Sequence, residues 1–166
     1  HTIRKVTPAG VVSTLAGLAG AAGSTNGTGS AARFNTPQGV AVNSSGNVFV
    51  ADTVNKVIRV ISPAGAVTTL AGAVGLSAGT DGAGSAARFN SPNGLAADAI
   101  GNLFVADNAA HTVRCVDSSG VVSTLGGSYL VSASTDGIGM ASRFNGVSCL
   151  VVDASGVIYA SDRANR

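Results

Sequence analysis

Apolar and β-branched residues come in short runs along this chain, and glycine, proline, asparagine or serine ends each run before a helical period can develop. Residues 57–61 (VIRVI), 67–71 (VTTLA), 95–98 (LAAD) and 102–107 (NLFVAD) are four such runs. Their Val, Ile, Leu and Phe content predicts β-strands. The joints Ser62-Pro63-Ala64-Gly65 and Asp98-Ala99-Ile100-Gly101 are short enough to make hairpins. The runs are apolar on both sides rather than strictly alternating, as expected for sheets covered on both faces.

This pattern recurs every 55 residues. Arg4, Arg59 and Arg114 keep that step, as do Arg33, Arg88 and Arg143, and Asp52, Asp107 and Asp162. The units are 1–55, 56–110 and 111–165, with no insertion or deletion between them. Units one and two agree at 29 of 55 positions, too many for chance, and the third is more divergent. Four antiparallel strands per unit, stacked face to face around an axis, make a β-propeller. Leucine-rich repeats have shorter periods, helical repeats need a 3.6-residue pattern, and WD40 repeats carry a Trp that this chain lacks.

The first unit reads TNGTGSAARFNTPQGVAVNSSGNVFVADTVNKVIRVI into its successor, and the second TDGAGSAARFNSPNGLAADAIGNLFVADNAAHTVRCV. An Arg-Phe-Asn-x-Pro-x-Gly lead-in, a Gly-Asn-hydrophobic hairpin and a closing Ala-Asp together resemble the NHL-repeat propeller family. The namesake Asn-His-Leu survives in part, as Asn55-Lys56-Val57, Ala110-His111-Thr112 and Asn165-Arg166. The third unit has Gly146-Val147-Ser148-Cys149 in place of the lead-in proline. The resemblance implies an all-β fold of four-stranded antiparallel blades. It implies much less about activity, because such propellers serve unrelated functions.

By phase, residues 1–17 supply the outer two strands of a blade and residues 147–166 supply inner strands, so the chain reads as one propeller segment with a split blade at its ends. Propellers have about four to eight blades, so three units are expected either to belong to a longer propeller or to form half of a six-bladed ring closed by two copies. An open arc would otherwise expose apolar blade faces.

Residues present in every unit are expected to build the blade. The arginines at 33, 88 and 143 are expected to bond backbone carbonyls or a neighbouring Asp; an anion-binding ring near the axis is the competing reading. The aspartates at 52, 107 and 162 are expected to hold the following turn. His1 and His111 share one repeat position, and two histidines at mid-radius turns do not make a zinc site, so no metal or cofactor is expected. The resemblance extends to amidating lyases with metal-bound histidines around the axis, a set not found in these residues. Asp81-Gly82 and Asp136-Gly137 read as turns rather than a calcium loop. Cys115 and Cys149 are expected to be buried free thiols, with a single disulfide between them as the alternative.

Asn26-Gly27-Thr28 and Asn43-Ser44-Ser45 are glycosylation sequons, absent from the other units, and point to a secretory protein. The long inter-blade connection varies at 18–24, 73–79 and 128–134. In the third unit it carries Tyr129, Leu130 and Val131, an apolar tip suited to a partner contact or to packing on the adjacent blade.

Charged residues are 11% of the chain and net charge is +2, without a Lys/Arg cluster. Nucleic-acid binding, known for tripartite-motif relatives of the resembled family, is therefore not expected. No apolar run reaches the eighteen or so residues of a membrane span. The residues favour a non-enzymatic scaffold or binding segment of a larger extracellular protein or assembly, engaging protein or glycan partners or further blades. A lyase or hydrolase acting at the axis of a completed ring is the enzymatic alternative.

Overall fold

The computed structural model describes residues 1–165. The strands are β1 (Thr2–Val6), β2 (Val12–Gly17), β3 (Gly27–Thr28), β4 (Pro37–Val42), β5 (Val48–Asp52), β6 (Val57–Ile61), β7 (Ala66–Gly72), β8 (Gly82–Ala83), β9 (Pro92–Ala97), β10 (Leu103–Asp107), β11 (Thr112–Val116), β12 (Val121–Gly127), β13 (Val147–Val152) and β14 (Ile158–Asp162). They form two five-stranded antiparallel sheets, β3-β7-β6-β5-β4 and β8-β12-β11-β10-β9, and two two-stranded ones, β1-β2 and β13-β14. The four long strands of each full sheet are the runs and joints read from sequence.

The fifth strand is an addition to that reading. β3 and β8 are two-residue strands contributed by the long connection, which crosses to the outer edge of the following sheet and pairs there with β7 and β12. A single turn of 3-10 helix follows each, at Gly29–Ala31 and Gly84–Ala86. Two residues of Gly-Thr or Gly-Ala carry too little pattern to be recognised as a strand.

From that edge the chain returns between two sheets and wedges them apart. Ala32, Phe34, Ala87 and Phe89 on these return segments are fully buried. Phe89 lies in one apolar cluster with Phe49 and Ile58 of the sheet behind it and Leu103, Val105 and Val116 of the sheet ahead. Phe34 does the same between β1-β2 and the first full sheet, with Ile3, Ala16, Val50 and Ile61. The connection is therefore core as well as linker.

Two glycine positions are required by close approach. Gly17, Gly72 and Gly127 close the fourth strand with φ of +90°, +93° and +86°, and a Cβ there would stand 2.1–2.7 Å from the carbonyl of His1, Lys56 or His111. Gly39 and Gly94 lie on innermost strands, where a Cβ would come within 1.9 Å of Asn93 O and 2.3 Å of Ser148 O. Only glycine admits adjacent sheets this close near the axis.

Candidate functional site

The charged side chains of the repeat form two built sockets. Arg59 on β6 is fully buried and donates to Asp52 Oδ2 (3.1 Å), Asn26 Oδ1 (2.7 Å), Arg33 O (3.0 Å) and Thr25 O (3.2 Å). Its guanidinium lies 5.4 Å from the centre of the Phe34 ring. Arg114 on β11 repeats this with Asp81 Oδ1 (2.6 Å), Arg88 O and Thr80 O (both 3.0 Å) and the Phe89 ring at 5.3 Å. The Asp107 carboxylate stands farther off, at 4.0 Å. A guanidinium presents five donors in a fixed plane, which suits several converging acceptors where an ammonium would not.

The buried aspartates hold the wedge as well as the arginine. Asn35 N–H donates to Asp52 Oδ1 (2.7 Å), and Ser91 N–H and Asn90 N–H donate to Asp107 at 2.6 and 2.9 Å. The expected hold on the following turn is found at Asp52, which accepts from Asn55 Nδ2 (2.8 Å), but the main anchor is this segment 17 residues upstream. Burial pushes both carboxyls above the usual range, against the pull of these hydrogen bonds and the arginines.

Arg33, Arg88 and Arg143 do not ring the axis. Arg33 Nη1 donates to Ser30 O (2.6 Å) and Ala32 O (2.8 Å), and Arg88 and Arg143 bond the matching carbonyls of Ser85 and Ala87, and of Met140 and Ser142. They brace the 3-10 turns, as carbonyl bonding predicts. Asp98, Asp117 and Asp153 accept N–H groups of the hairpin turns that follow them. The Ser119 hydroxyl and Val121 N–H lower the Asp117 carboxyl, and the Ser155 hydroxyl and Val157 N–H lower that of Asp153.

The cysteines depart from expectation. Both are free, but Cys149 is exposed and Cys115 half-buried, so neither is a core thiol. Cys149 falls on β13 at the repeat position of Gly39 and Gly94, on a strand face that no further sheet covers among the described residues. Burial, then the charges of Asp117 and Asp98, raise the Cys115 thiol.

Asn26 is exposed and its Oδ1 accepts from Arg59, while Asn43 is half-buried and its Oδ1 accepts from Asn47 N–H (3.0 Å). Tyr129, Leu130 and Val131 form a tight turn, with Val131 N–H donating to Ser128 O (2.9 Å). Tyr129 lies against Gly79 of the preceding connection, so closely that a Cβ there would meet its ring at 2.6 Å. Leu130 and Val131 point into solvent. Leu130 has φ +60°, and the same position in the other units is Gly20 and Gly75, both at φ +76°. The exchange of that glycine for leucine in the third unit is visible in sequence, though its backbone consequence is not. Among the described residues no group of three or more His, Cys, Asp and Glu side chains could hold a metal ion, and no helix is long and apolar enough to cross a membrane.

A family model described as NHL repeat matches residues 34–61. No curated protein matches the chain. Among solved structures, a structural-genomics protein of unknown function from Bacteroides thetaiotaomicron superposes with a TM-score of 0.74 at 22% identity, covering 93% of this chain and 38% of its own. An auxiliary nutrient binding protein from the same organism gives 0.66 at 19% identity over 75% of this chain and 34% of that one. Virginiamycin B lyase from Staphylococcus aureus gives 0.52 at 10% identity over 99% and 50%. The chain thus spans between a third and a half of these proteins. Residues 34–61 are an NHL repeat, and the fold is the all-β, propeller type of these neighbours.

Proposed function

We propose that this arc of NHL-type units is a non-enzymatic scaffold within a larger extracellular assembly, and that it binds a protein or glycan partner through the connection tips at one end of its blades. The observation that carries this reading is Leu130. A bulky side chain in the left-handed region costs about 1 kcal/mol or more, and strain of that kind persists where function holds it. Here it replaces glycine and places an apolar side chain in water. Val131 on the same tip, and Val74 and Leu76 on the matching tip of the second unit, extend the apolar rim. Asn26 and Asn43 are the glycan-attachment candidates of this reading, both on the first unit.

The acidic and basic side chains support the same view, since sockets, braces and turn caps already occupy most of them. Neighbours named for nutrient binding and for lyase activity share the fold at low identity and leave both classes open.

Leu130→Gly separates the roles. It should raise stability by about 1 kcal/mol through relief of the backbone. It should also weaken capture of extracellular partners by the immobilised chain relative to wild type. A partner held equally well by both chains removes the tip from the reading. Lyase or hydrolase activity of the purified chain would replace the scaffold with an enzyme.

A further inference from the structure

Three asparagines of this chain are followed by glycine, Asn26, Asn93 and Asn145, and the fold holds them differently. At an Asn-Gly step the next backbone nitrogen reaches the side-chain carbonyl most easily, because glycine has no Cβ to shield it. Gly94 lies on an innermost strand, where a Cβ would stand 2.3 Å from Ser148 O. The Gly146 N–H donates to His111 Nδ1 (3.0 Å), and the Asn145 side chain donates to Ala164 O (3.3 Å). Gly27 instead belongs to β3, a two-residue pairing at the outer edge of its sheet, and Asn26 is exposed. Freeing the Gly27 nitrogen there disturbs few bonds.

Asn26 also meets a cation. The fully buried Arg59 donates from Nη2 to Asn26 Oδ1 (2.7 Å). The arginine bonds among the described residues do not go to Asn93 or Asn145. A guanidinium has no acceptor, so the carboxamide must present its oxygen to it. The donor therefore aims at the atom on which negative charge gathers when a nucleophile adds to Cγ, as in an oxyanion hole.

The second unit shows the product of such a reaction. It has Asp81 at this position, with the side chain 49% exposed although it lies inside the arc, so exposure here belongs to the repeat. Asp81 accepts from Arg114 Nη2 (2.6 Å), the Thr124 hydroxyl (2.9 Å) and Thr124 N–H (3.1 Å). Thr69 holds the matching place in the first unit. With Asp81 as partner, Arg114 stands 4.0 Å from Asp107, whereas Arg59 keeps Asp52 at 3.1 Å.

We propose that Asn26 is a self-modifying site, deamidated with the help of Arg59 to a normal aspartate that converts the first socket into the form of the second. The Gly27 nitrogen loses its proton to solvent and adds to Asn26 Cγ. The Cγ–Nδ2 bond then breaks, and the amide takes up a proton and leaves as ammonia. The succinimide that remains still carries Oδ1 on Cγ, facing Arg59. Water adds to that carbon, because the guanidinium polarises this carbonyl and not the backbone one. The bond from Cγ to the Gly27 nitrogen breaks, and the nitrogen regains its proton. One water is consumed and one ammonia released. A glycan on Nδ2 blocks the reaction, and the proposal is independent of what the connection tips bind.

The test uses the whole 166-residue chain, produced without N-glycosylation and kept folded in mildly alkaline buffer. Peptide mapping by mass spectrometry follows the exchange of amide for acid at the three sites, and electron-transfer fragmentation separates aspartate from isoaspartate. Asn26 should convert at least about tenfold faster than Asn93 and Asn145, with aspartate as the main product. In urea the three sites should react at similar rates and isoaspartate should dominate, because the guanidinium is no longer in place. The Asn26→Asp variant should fold and melt no lower than wild type, since Arg59 then has the partner that Arg114 has. The proposal is overturned if Asn26 is no faster than the other two in the folded chain, or if its preference persists in urea. Isoaspartate as the main product at Asn26, or a lower melting temperature for Asn26→Asp, overturns it as well.

Discussion

Arg59 and Arg114 illustrate how a cation can be fully buried in a protein with so few charges. Each is surrounded by carbonyls, a carboxylate and an aromatic face, so that its desolvation is offset on most sides. Their Nε atoms are without a hydrogen-bond partner, which marks where this compensation is incomplete. Arg59→Met leaves the buried Asp52 carboxylate to its Asn35 and Asn55 bonds alone, and should cost about 3 kcal/mol, read as a lower urea midpoint. Adding Asp52→Asn should recover part of that loss. The turn aspartates behave differently because they are solvated. The Asp117 carboxyl is lowered by Ser119 and Val121, so its contribution is full above the ordinary value of about 3.9 and disappears as pH falls through the lowered folded value. Asp117→Asn keeps the turn, as Asn43 does naturally, and removes only the charge. Its melting temperature should lie below wild type at neutral pH and converge with it in acid, and a constant gap down to pH 2 would refute the assignment.

At the scale of elements, the innermost strands are the least forgiving. Gly94→Ala places a methyl 2.3 Å from Ser148 O, a backbone atom that cannot swing aside, and should destabilise by about 1–3 kcal/mol by thermal melting. Much of this level was legible in the sequence. The 55-residue step located every long strand, and the joints located the hairpins, because both depend on local pattern. The two-residue strands β3 and β8 were not legible, since their pairing partner is a strand some forty residues away in the next sheet. The repetition of Arg59 and Arg114 marked them as parts of the blade, but their partners were hidden, because the carbonyls they bond lie on the preceding connection, far upstream in the chain. Cys149 misled for the opposite reason. Its apolar neighbours read as core, but the sheet that would cover them is not supplied by this unit. The candidate contact at 129–131 was partly legible, with Tyr129 turning inward onto Gly79 and Leu130 and Val131 outward.

At the scale of the molecule, the parts are joined by nearest-neighbour contacts. No cluster reaches beyond two adjacent sheets, so stability is close to a sum of units and seams. That wedge also gives the row a direction. Phe34 and Phe89 stand on the connection leaving one sheet and pack against both, while β3 and β8 of that connection pair only with the sheet that follows, so each unit delivers part of its successor. The array resembles overlapping slates more than stacked coins: lifting one loosens the next in chain order before it disturbs the one behind. Damage to an early unit is therefore transmitted forward more readily than damage to a late unit is transmitted back, and the two ends of an arc built from near-identical units are mechanically unlike.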